Sequence, residues 1–298
     1  MTSDIPLLSV RGLGKAYGPV RAVVDASLEV RAGEIVCLVG PNGSGKTTLI
    51  ECVEGLRAPD AGRIELLGDA GGSRRERARM LGVQLQEEGF PGRIRVAEAV
   101  ILYAAIYCVV GADGDLIARL GLEEFSRRPF ETLSGGQKRR TALALAFIHD
   151  PRLVILDEPS AGLDPEGQGE IIRLLVDRAS TGVGMLVTTH DMHVAAEIAH
   201  RVVVMSRGRT IADGTPAELL AALPHEWCLT GIDAASSSQT ASAVRDGRST
   251  RTYGPVDDLR AAYEALTPAQ RARATLRRTD LSDIAFLGGV AHDEGTPA

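Results

Sequence analysis

The sequence predicts an α/β protein with a mostly parallel sheet, an N-terminal antiparallel β part, an α-helical subdomain and a small C-terminal appendage. Residues 153–156 are four aliphatic residues without alternation, and residues 182–189 form a second strand of this kind. Such runs are typical of strands buried on both faces of a parallel sheet. Residues 20–30 alternate in their second half, which indicates a strand with one solvated face, and residues 96–129 have helical character.

The composition is that of an ordinary soluble globular protein, with 44% hydrophobic and 24% charged residues. A chain of 298 residues is long enough for one large domain and a smaller one. The formal net charge of −6 argues against a general nucleic-acid surface, so we expect no nucleic-acid partner. The four cysteines lack C-x-x-C spacing, which favours reduced thiols in a cytoplasmic protein over a metal site.

The sequence shows neither a secretion signal nor a membrane-spanning run. The N-terminus lacks a basic segment followed by an apolar one. The longest apolar run, residues 99–112, is shorter than the roughly 20 residues that a spanning helix needs. We therefore expect a soluble protein that reaches a membrane only by docking on a membrane partner.

A glycine-rich loop, GPNGSGKT, follows the apolar run of residues 35–39 and precedes a helical segment. It fits the pattern G-x-x-x-x-G-K-[ST], in which backbone N–H groups and a helix N-terminus form an anion site. Lys46 supplies a charge to the terminal phosphates, and the Thr47 hydroxyl can ligate Mg²⁺. The predicted phosphate-binding residues are Gly40, Pro41, Asn42, Gly43, Ser44, Gly45, Lys46, Thr47 and Thr48.

Tyr17 and Gln86 gain a second interpretation from this loop. Tyr17 is either an aromatic core residue or a platform that stacks on a nucleotide base, and the nearby loop favours the platform. Gln86, at the end of a predicted strand, is either a polar boundary or a ligand that reaches Mg²⁺ and the attacking water. The apolar helix of residues 96–110 is either a core helix or part of a docking groove.

Two further segments place polar groups where strands end or helices begin. Ser134 is well placed as the N-cap of a helix that follows Leu133, so the start is either an ordinary cap or a second phosphate-facing helix N-terminus. Asp157 and Glu158 end a buried aliphatic strand, where open α/β sheets bind ligands. Asp157 would hold Mg²⁺ through water, and Glu158 would deprotonate the hydrolytic water. His190 ends the next buried strand and is predicted to contact a γ-phosphate.

Beyond these motifs the sequence becomes less informative. Residues 202–205 and 210–212 predict a hairpin, and residues 216–223 a short helix. We expect residues 225–298 to be a small α/β or helical appendage of unknown role, with helices over residues 257–266 and 268–278.

With these motifs in order, residues 5–224 resemble the nucleotide-binding subunit of an ATP-binding cassette (ABC) transporter. GPNGSGKT resembles the Walker A loop, LSGGQ at 133–137 the family signature, LVILDEP at 153–159 the Walker B strand, and SAGLD at 160–164 the D-loop. Gln86, His190 and Tyr17 match the Q-loop, switch-histidine and A-loop positions. The resemblance implies a P-loop NTPase core with a helical subdomain over about residues 88–140.

The resemblance also implies roles. Tyr17 stacks on adenine, Thr47, Gln86 and Asp157 serve Mg²⁺, Glu158 is the general base and His190 senses the γ-phosphate. Residues of the signature and D-loop would contact ATP held by a second copy of the chain, so that two cassettes close head to tail. These residues are Ser134, Gly135, Gly136, Gln137 and Asp164.

The implied function is an ATPase subunit that binds ATP and Mg²⁺ and powers a separate polytopic membrane permease from the inner face of the cell membrane. The KRR sequence at 138–140, GVQLQ at 82–86 and the loosely matching LSDIAFLGG at 281–289 resemble the drug, antibiotic and polysaccharide exporter branch. The alternatives are a soluble ABC ATPase associated with ribosomes or DNA, and the ATPase subunit of an importer.

Overall fold

The computed structural model describes residues 5–67, 78–84, 92–109, 114–231, 242–246 and 249–291. It confirms the predicted α/β class, with a mixed sheet that is parallel in its centre and antiparallel at its N-terminal part. In the part of the chain so described, no helix is both long and apolar enough to cross a bilayer.

The N-terminal strands form the antiparallel part of the large sheet. Strand β1 (Leu8–Tyr17) pairs with β2 (Val20–Val30) on one side and with β4 (Ala61–Leu66) on the other. In the second half of β2, Ala26, Leu28 and Val30 are buried, and the side chains between them are more exposed. This confirms a strand with one solvated face.

The centre of the sheet is parallel and buried on both faces. It contains β3 (Ile35–Val39), β6 (Leu153–Asp157), β7 (Gly184–Thr189) and β8 (Arg201–Ser206), and the short edge strand β5 (Leu81–Val83) pairs parallel with β6. Strand β9 (Arg209–Gly214) returns antiparallel to β8, as the hairpin prediction requires. Among the described strands, the order is β4-β1-β2-β9-β8-β3-β7-β6-β5.

Helices cover both faces of this sheet, because the central strands bury apolar side chains on either side. Helix α1 (Lys46–Val53) follows β3 directly, and Leu49 and Ile50 on it are buried. The named α-helices before the C-terminal unit are α1, α2 (Val96–Tyr107), α3 (Gly114–Arg119), α4 (Gly135–Phe147), α5 (Pro165–Ser180), α6 (Met192–Ile198) and α7 (Pro216–Ala221).

The C-terminal unit has its own antiparallel sheet. Its strands are β10 (Trp227–Thr230), β11 (Ser242–Asp246), β12 (Ser249–Gly254) and β13 (Thr275–Arg278), in the order β11-β12-β10-β13. Its helices are α8 (Val256–Glu264), α9 (Pro268–Arg271) and α10 (Leu281–Ala291).

The helix predicted over residues 268–278 is wrong in its second half. Helix α9 ends at Arg271, and Thr275–Arg278 pairs with Trp227–Thr230 as a strand. The partner strand lies more than forty residues earlier in the chain. A pairing of this kind overrides local preference and leaves no trace in the local pattern.

Helix α10 joins the two sheets. Leu281 belongs to the hydrophobic core beside the large sheet, whereas Phe286 packs with Cys228 and Tyr253 of the C-terminal unit. Asp283 is fully buried between them, and its carboxylate lies 2.6 Å from the Arg251 guanidinium. Burial raises the pKa of Asp283, but hydrogen bonds from Arg277, the Asp280 N–H and Arg251 outweigh it and leave this pKa below its usual value.

Candidate functional site

The predicted site residues converge because their strands are neighbours in the sheet. Strand β7 lies between β3 and β6, with Val39 opposite Thr189 and Asp157 opposite Thr188. The loop after β3, Asp157 at the end of β6 and His190 after β7 therefore lie at one edge of the sheet. Carboxyl ends of parallel strands are where open α/β sheets bind ligands.

The phosphate loop needs glycine at two positions for steric reasons. Gly40 has φ +153°, and a Cβ there would lie 2.2 Å from the Met205 carbonyl oxygen. Gly45 has φ +102°, and a Cβ there would lie 2.4 Å from the Ala22 carbonyl oxygen. Both distances are far below any real carbon contact, so the loop can hold this shape only with glycine at these positions.

The polar groups of the loop fit a phosphate. Lys46 Nζ donates to the carbonyl oxygens of Gly40, at 2.8 Å, and of Pro41, at 3.1 Å. Burial lowers the pKa of Lys46, although the charges of Glu158 and Asp157 oppose this shift. The buried Ser44 Oγ finds no hydrogen-bond partner among the described residues. A buried hydroxyl without a partner is costly, and a phosphate oxygen would satisfy it.

A small cavity beside the loop offers oxygen ligands of the kind that Mg²⁺ prefers. Its volume is about 120 Å³, and Thr47, Gln84 and Asp157 are among its lining residues. The Thr188 hydroxyl donates to Asp157 Oδ1. Gln84 Oε1 is buried and, in the described part of the structure, lacks a hydrogen-bond partner. Hydroxyl, carboxylate and amide oxygens form a donor set that suits Mg²⁺.

Glu158 is held in an unusual backbone conformation beside His190. Its φ of +50° lies in the left-handed region, which L-residues with a side chain seldom adopt. Its N–H donates to the carbonyl oxygen and to Oγ1 of Thr188, at 3.2 and 3.0 Å. Its carboxylate Oε1 lies 2.8 Å from His190 Nδ1. Glu158 and His190 thus form a pair at the same edge as Lys46.

Gln86 lies outside the described residues, and its roles remain predictions. Gln84, two residues earlier, is almost completely buried, and its Nε2 donates to the Asp157 carbonyl oxygen at 3.3 Å. Sequence reasoning assigned nothing to Gln84. Its polar side chain within an alternating apolar run was the signal that could have found it.

The helix start at LSGGQ is capped as predicted. Ser134 Oγ accepts from the Gln137 N–H at 3.2 Å, and the Gln137 side chain accepts from the Ser134 N–H at 3.1 Å. A second cavity of about 420 Å³ lies here, apart from the cavity beside the phosphate loop, with which it shares no lining residue. It is lined by Glu124, Phe125, Ser134, Gly135, Gly136, Gln137, Arg140, Gly162, Leu163 and Asp164.

Tyr17 lies at the end of β1 and is 41% exposed, so it is not a core residue. Lys15 Nζ lies 5.8 Å from the centre of its ring. Val20, at the start of β2, is also an exposed hydrophobic residue and pairs with Tyr17 across the hairpin. The exposed ring leaves a flat apolar face available to a ligand, as the stacking interpretation requires.

Glu54 was missed by sequence reasoning, although it lines the same small cavity as Thr47 and Asp157. Burial, followed by the negative charges of Asp157 and Glu51, raises the pKa of Glu54 to about 7. An acidic residue at the C-terminal end of a helix gives no signal of this kind, because the cavity is formed by residues distant in sequence.

Replacing Glu54 with glutamine is expected to stabilise the chain above pH 7. Between its ordinary pKa of 4.5 and about 7, Glu54 binds a proton in the folded state but not in the unfolded state. The free energy of unfolding therefore falls as the pH rises through this window. Solvent screening reduces the effect, so we expect E54Q to gain about 1–2 kcal/mol at pH 8. Urea unfolding with EDTA and without nucleotide, at pH 8 and pH 4, measures it. A gain that is equal at both pH values would contradict the assignment.

Comparisons with known proteins agree with this geometry. A family model described as ABC transporter matches residues 23–161. The Nod factor export ATP-binding protein I of Ralstonia nicotianae is 37% identical over 223 residues, which cover 72% of this chain and 69% of that protein. The hemin import ATP-binding protein HmuV of Thermobifida fusca is 34% identical over 231 residues, which cover 74% of this chain and 81% of that protein.

A solved ATP-binding subunit of an ABC transporter has the same fold, with a TM-score of 0.66 and 27% identity over 72% of this chain and 92% of that one. The two relatives also share the ATP-binding role, although they serve transport in opposite directions. The chain therefore belongs to the ATP-binding cassette family and is an ATP-binding, ATP-hydrolysing subunit of an ABC transporter.

Proposed function

We propose that two copies of this chain close head to tail around ATP and power a separate membrane permease that exports a drug-like, lipid or polysaccharide substrate. The observation that carries the proposal is the separation of two incomplete sites on one chain. The edge with Lys46, Asp157 and Glu158 offers side chains that would bind phosphate and a metal ion. The signature cavity at Ser134 lies elsewhere.

Nucleotide recognition uses the phosphate loop and Tyr17. The loop N–H groups, Ser44 Oγ and the Lys46 ammonium bind the β- and γ-phosphates, and the exposed Tyr17 ring stacks on adenine. Thr47 and Asp157, with Gln86 as the further predicted ligand, would hold Mg²⁺, and the bound ion would neutralise phosphate charge. These residues orient the nucleotide at the edge of the sheet.

Hydrolysis depends on the Glu158–His190 pair. Glu158 accepts the proton of the attacking water, and His190, which lies within hydrogen-bond distance of its carboxylate, contacts the γ-phosphate. Both side chains retain some exposure in the single chain, with the side chain of His190 66% and that of Glu158 26% exposed. Closure of a dimer over this edge would exclude bulk water and bring a second chain to the nucleotide.

The second chain supplies its signature cavity. Ser134, Gly136 and Asp164 line an open cavity at the N-terminus of α4, where backbone N–H groups and the helix dipole favour an anion. Gly135 and Gln137 belong to the same cavity. A head-to-tail arrangement pairs each phosphate loop with the partner's signature, so ATP holds the two chains together.

The permease would dock on α2. Ile101 is 67% exposed, Leu102 46% and Ile106 55%, so three large apolar side chains of one helix lie open. Clusters of this kind mark protein-binding surfaces. The docked chain would lie on the inner face of the cell membrane, bound through the permease. Export is supported by the KRR sequence and the Nod factor relative, and import by the hemin relative.

Affinity purification from detergent-solubilised membranes tests the permease proposal. The tagged chain should recover a membrane protein with about six spanning segments, and I106D should lose it while keeping ATPase activity. V176D is the matched control, because Val176 is also an exposed apolar residue, 45% exposed, but lies on α5. Recovery of ribosomes, or equal loss from both variants, would contradict the proposal, and a recovered permease that takes up its substrate would establish import.

A further inference from the structure

Arg139 connects the signature helix to the end of the Walker B strand. It is half-buried in the second turn of α4, five residues after Ser134. Its Nη1 donates to the carbonyl oxygen of Asp157 at 3.1 Å and also to the carbonyl oxygen of Glu158. A guanidinium can satisfy two carbonyl oxygens at once, because its donors are fixed in a planar fork.

These carbonyls belong to the backbone segment that needs support. Glu158 has φ +50°, a conformation that persists in a residue with a side chain only where the surroundings hold it. Thr188 fixes the N–H of Glu158 from strand β7. Arg139 fixes its carbonyl oxygen from helix α4. The peptide units on both sides of the Glu158 Cα are therefore anchored, and the direction of its side chain follows from them.

We propose that Arg139 is a positioning residue for ATP hydrolysis, which holds the backbone of Glu158 so that its carboxylate faces the reacting phosphate. The proposal rests on the proposed role of Glu158 as general base. The hydrogen bonds of Arg139 go to the backbone carbonyls of Asp157 and Glu158, so it would act through Glu158 and not by binding the nucleotide. The placement of Glu158 thereby depends on the position of α4, the helix that begins at the signature.

The charge of Arg139 is suited to this task. The two carbonyl dipoles point toward one guanidinium, and hydrogen bonds from a charged donor are about twice as strong as neutral ones. Glutamine at the same position would keep an amide donor but would lose the charge and some reach. Leucine would keep apolar bulk and lose every donor, which leaves the two carbonyl oxygens without this partner.

Steady-state kinetics of R139L and R139Q test the proposal. We expect R139L to lower kcat about 10- to 100-fold, since a displacement of a catalytic group by about 1 Å can cost that much. The KM for ATP and the equilibrium affinity for ATP should stay unchanged, because the phosphate loop is intact. R139Q should recover part of kcat. R260Q is the matched control on exposed Arg260 of α8 and should leave both constants unchanged.

A double-variant cycle separates positioning from general support of the fold. If Arg139 acts through Glu158, adding R139L to E158Q should cause no further loss of turnover. A further loss of the same size as in the wild-type background, or a weakened ATP affinity in R139L, would overturn the proposal. Unimpaired turnover in E158Q alone would instead refute the role of Glu158, so the two failures are distinguishable.

Discussion

E158Q is expected to lower the rate of ATP hydrolysis about 10²- to 10⁴-fold, which is the usual contribution of a general base. Glutamine has nearly the shape of glutamate, so the left-handed backbone at this position and the bonds to Thr188 are retained. It cannot accept the proton of the attacking water. ATP affinity should not change, because the loop with Lys46 and Ser44 does not contain Glu158.

The same variant should accumulate a dimer with ATP and Mg²⁺. Hydrolysis is the step that would reopen the two chains, and a variant that binds ATP but cannot hydrolyse it remains closed. Light scattering during size-exclusion chromatography, with and without ATP, measures this change. E264Q, on exposed Glu264 of α8, is the control and should remain unchanged. Full turnover of E158Q, or a monomer in the presence of ATP, would contradict the head-to-tail mechanism.

The sequence was sufficient to predict the sheet edge on which the site lies. Four aliphatic residues followed by Asp157 and Glu158 can be stable only as a buried strand that ends where solvent or a ligand begins. Gly40 and Gly45 could be predicted for a similar reason, since their spacing reflects close backbone approaches that a Cβ would prevent. In both cases the residue types themselves carried the constraint, although the carbonyl oxygens that approach Gly40 and Gly45 belong to the distant Met205 and Ala22.

The support behind the site could not be predicted. Arg139 belongs to a run of basic residues that is equally typical of a solvated helix face. Its bond to Glu158 depends on how α4 packs behind β6, and this relation has no local pattern. Glu54 could not be predicted for the same reason, because only the packing of α1 beside Asp157 places its carboxyl in a cavity.

The C-terminal unit depends even more on distant contacts. The prediction of a helix over residues 268–278 failed at Thr275–Arg278, which is a strand because β10 offers it a partner. Asp283 gave no signal in the sequence, since one aspartate near the start of a helix is common. In the structure its carboxylate accepts from Arg251, Arg277, Tyr253 and the Asp280 N–H.

D283A is expected to lower the stability of the C-terminal unit by about 3–5 kcal/mol, the usual cost of removing one partner from a buried ion pair. The loss would leave Arg251 and Arg277 without the carboxylate that compensates their charge. Hydrogen exchange of β10, β12 and β13, together with thermal unfolding, measures the change. D280A is the control, because Asp280 also pairs with Arg277 but its side chain is 36% exposed. D280A should lower the free energy of unfolding by only about 1 kcal/mol.

The dependence on pH distinguishes an ionic role of Asp283 from a packing role. Because the pKa of Asp283 is below its usual value in the folded chain, its charge stabilises the fold above the pKa of an unfolded aspartate. This stabilisation is lost as the pH falls through the lower, folded pKa. D283N keeps the shape without the charge, so its deficit against wild type should be largest at neutral pH and should shrink in acid. A deficit that is constant over the whole pH range would mean that Asp283 acts by packing and not by its charge.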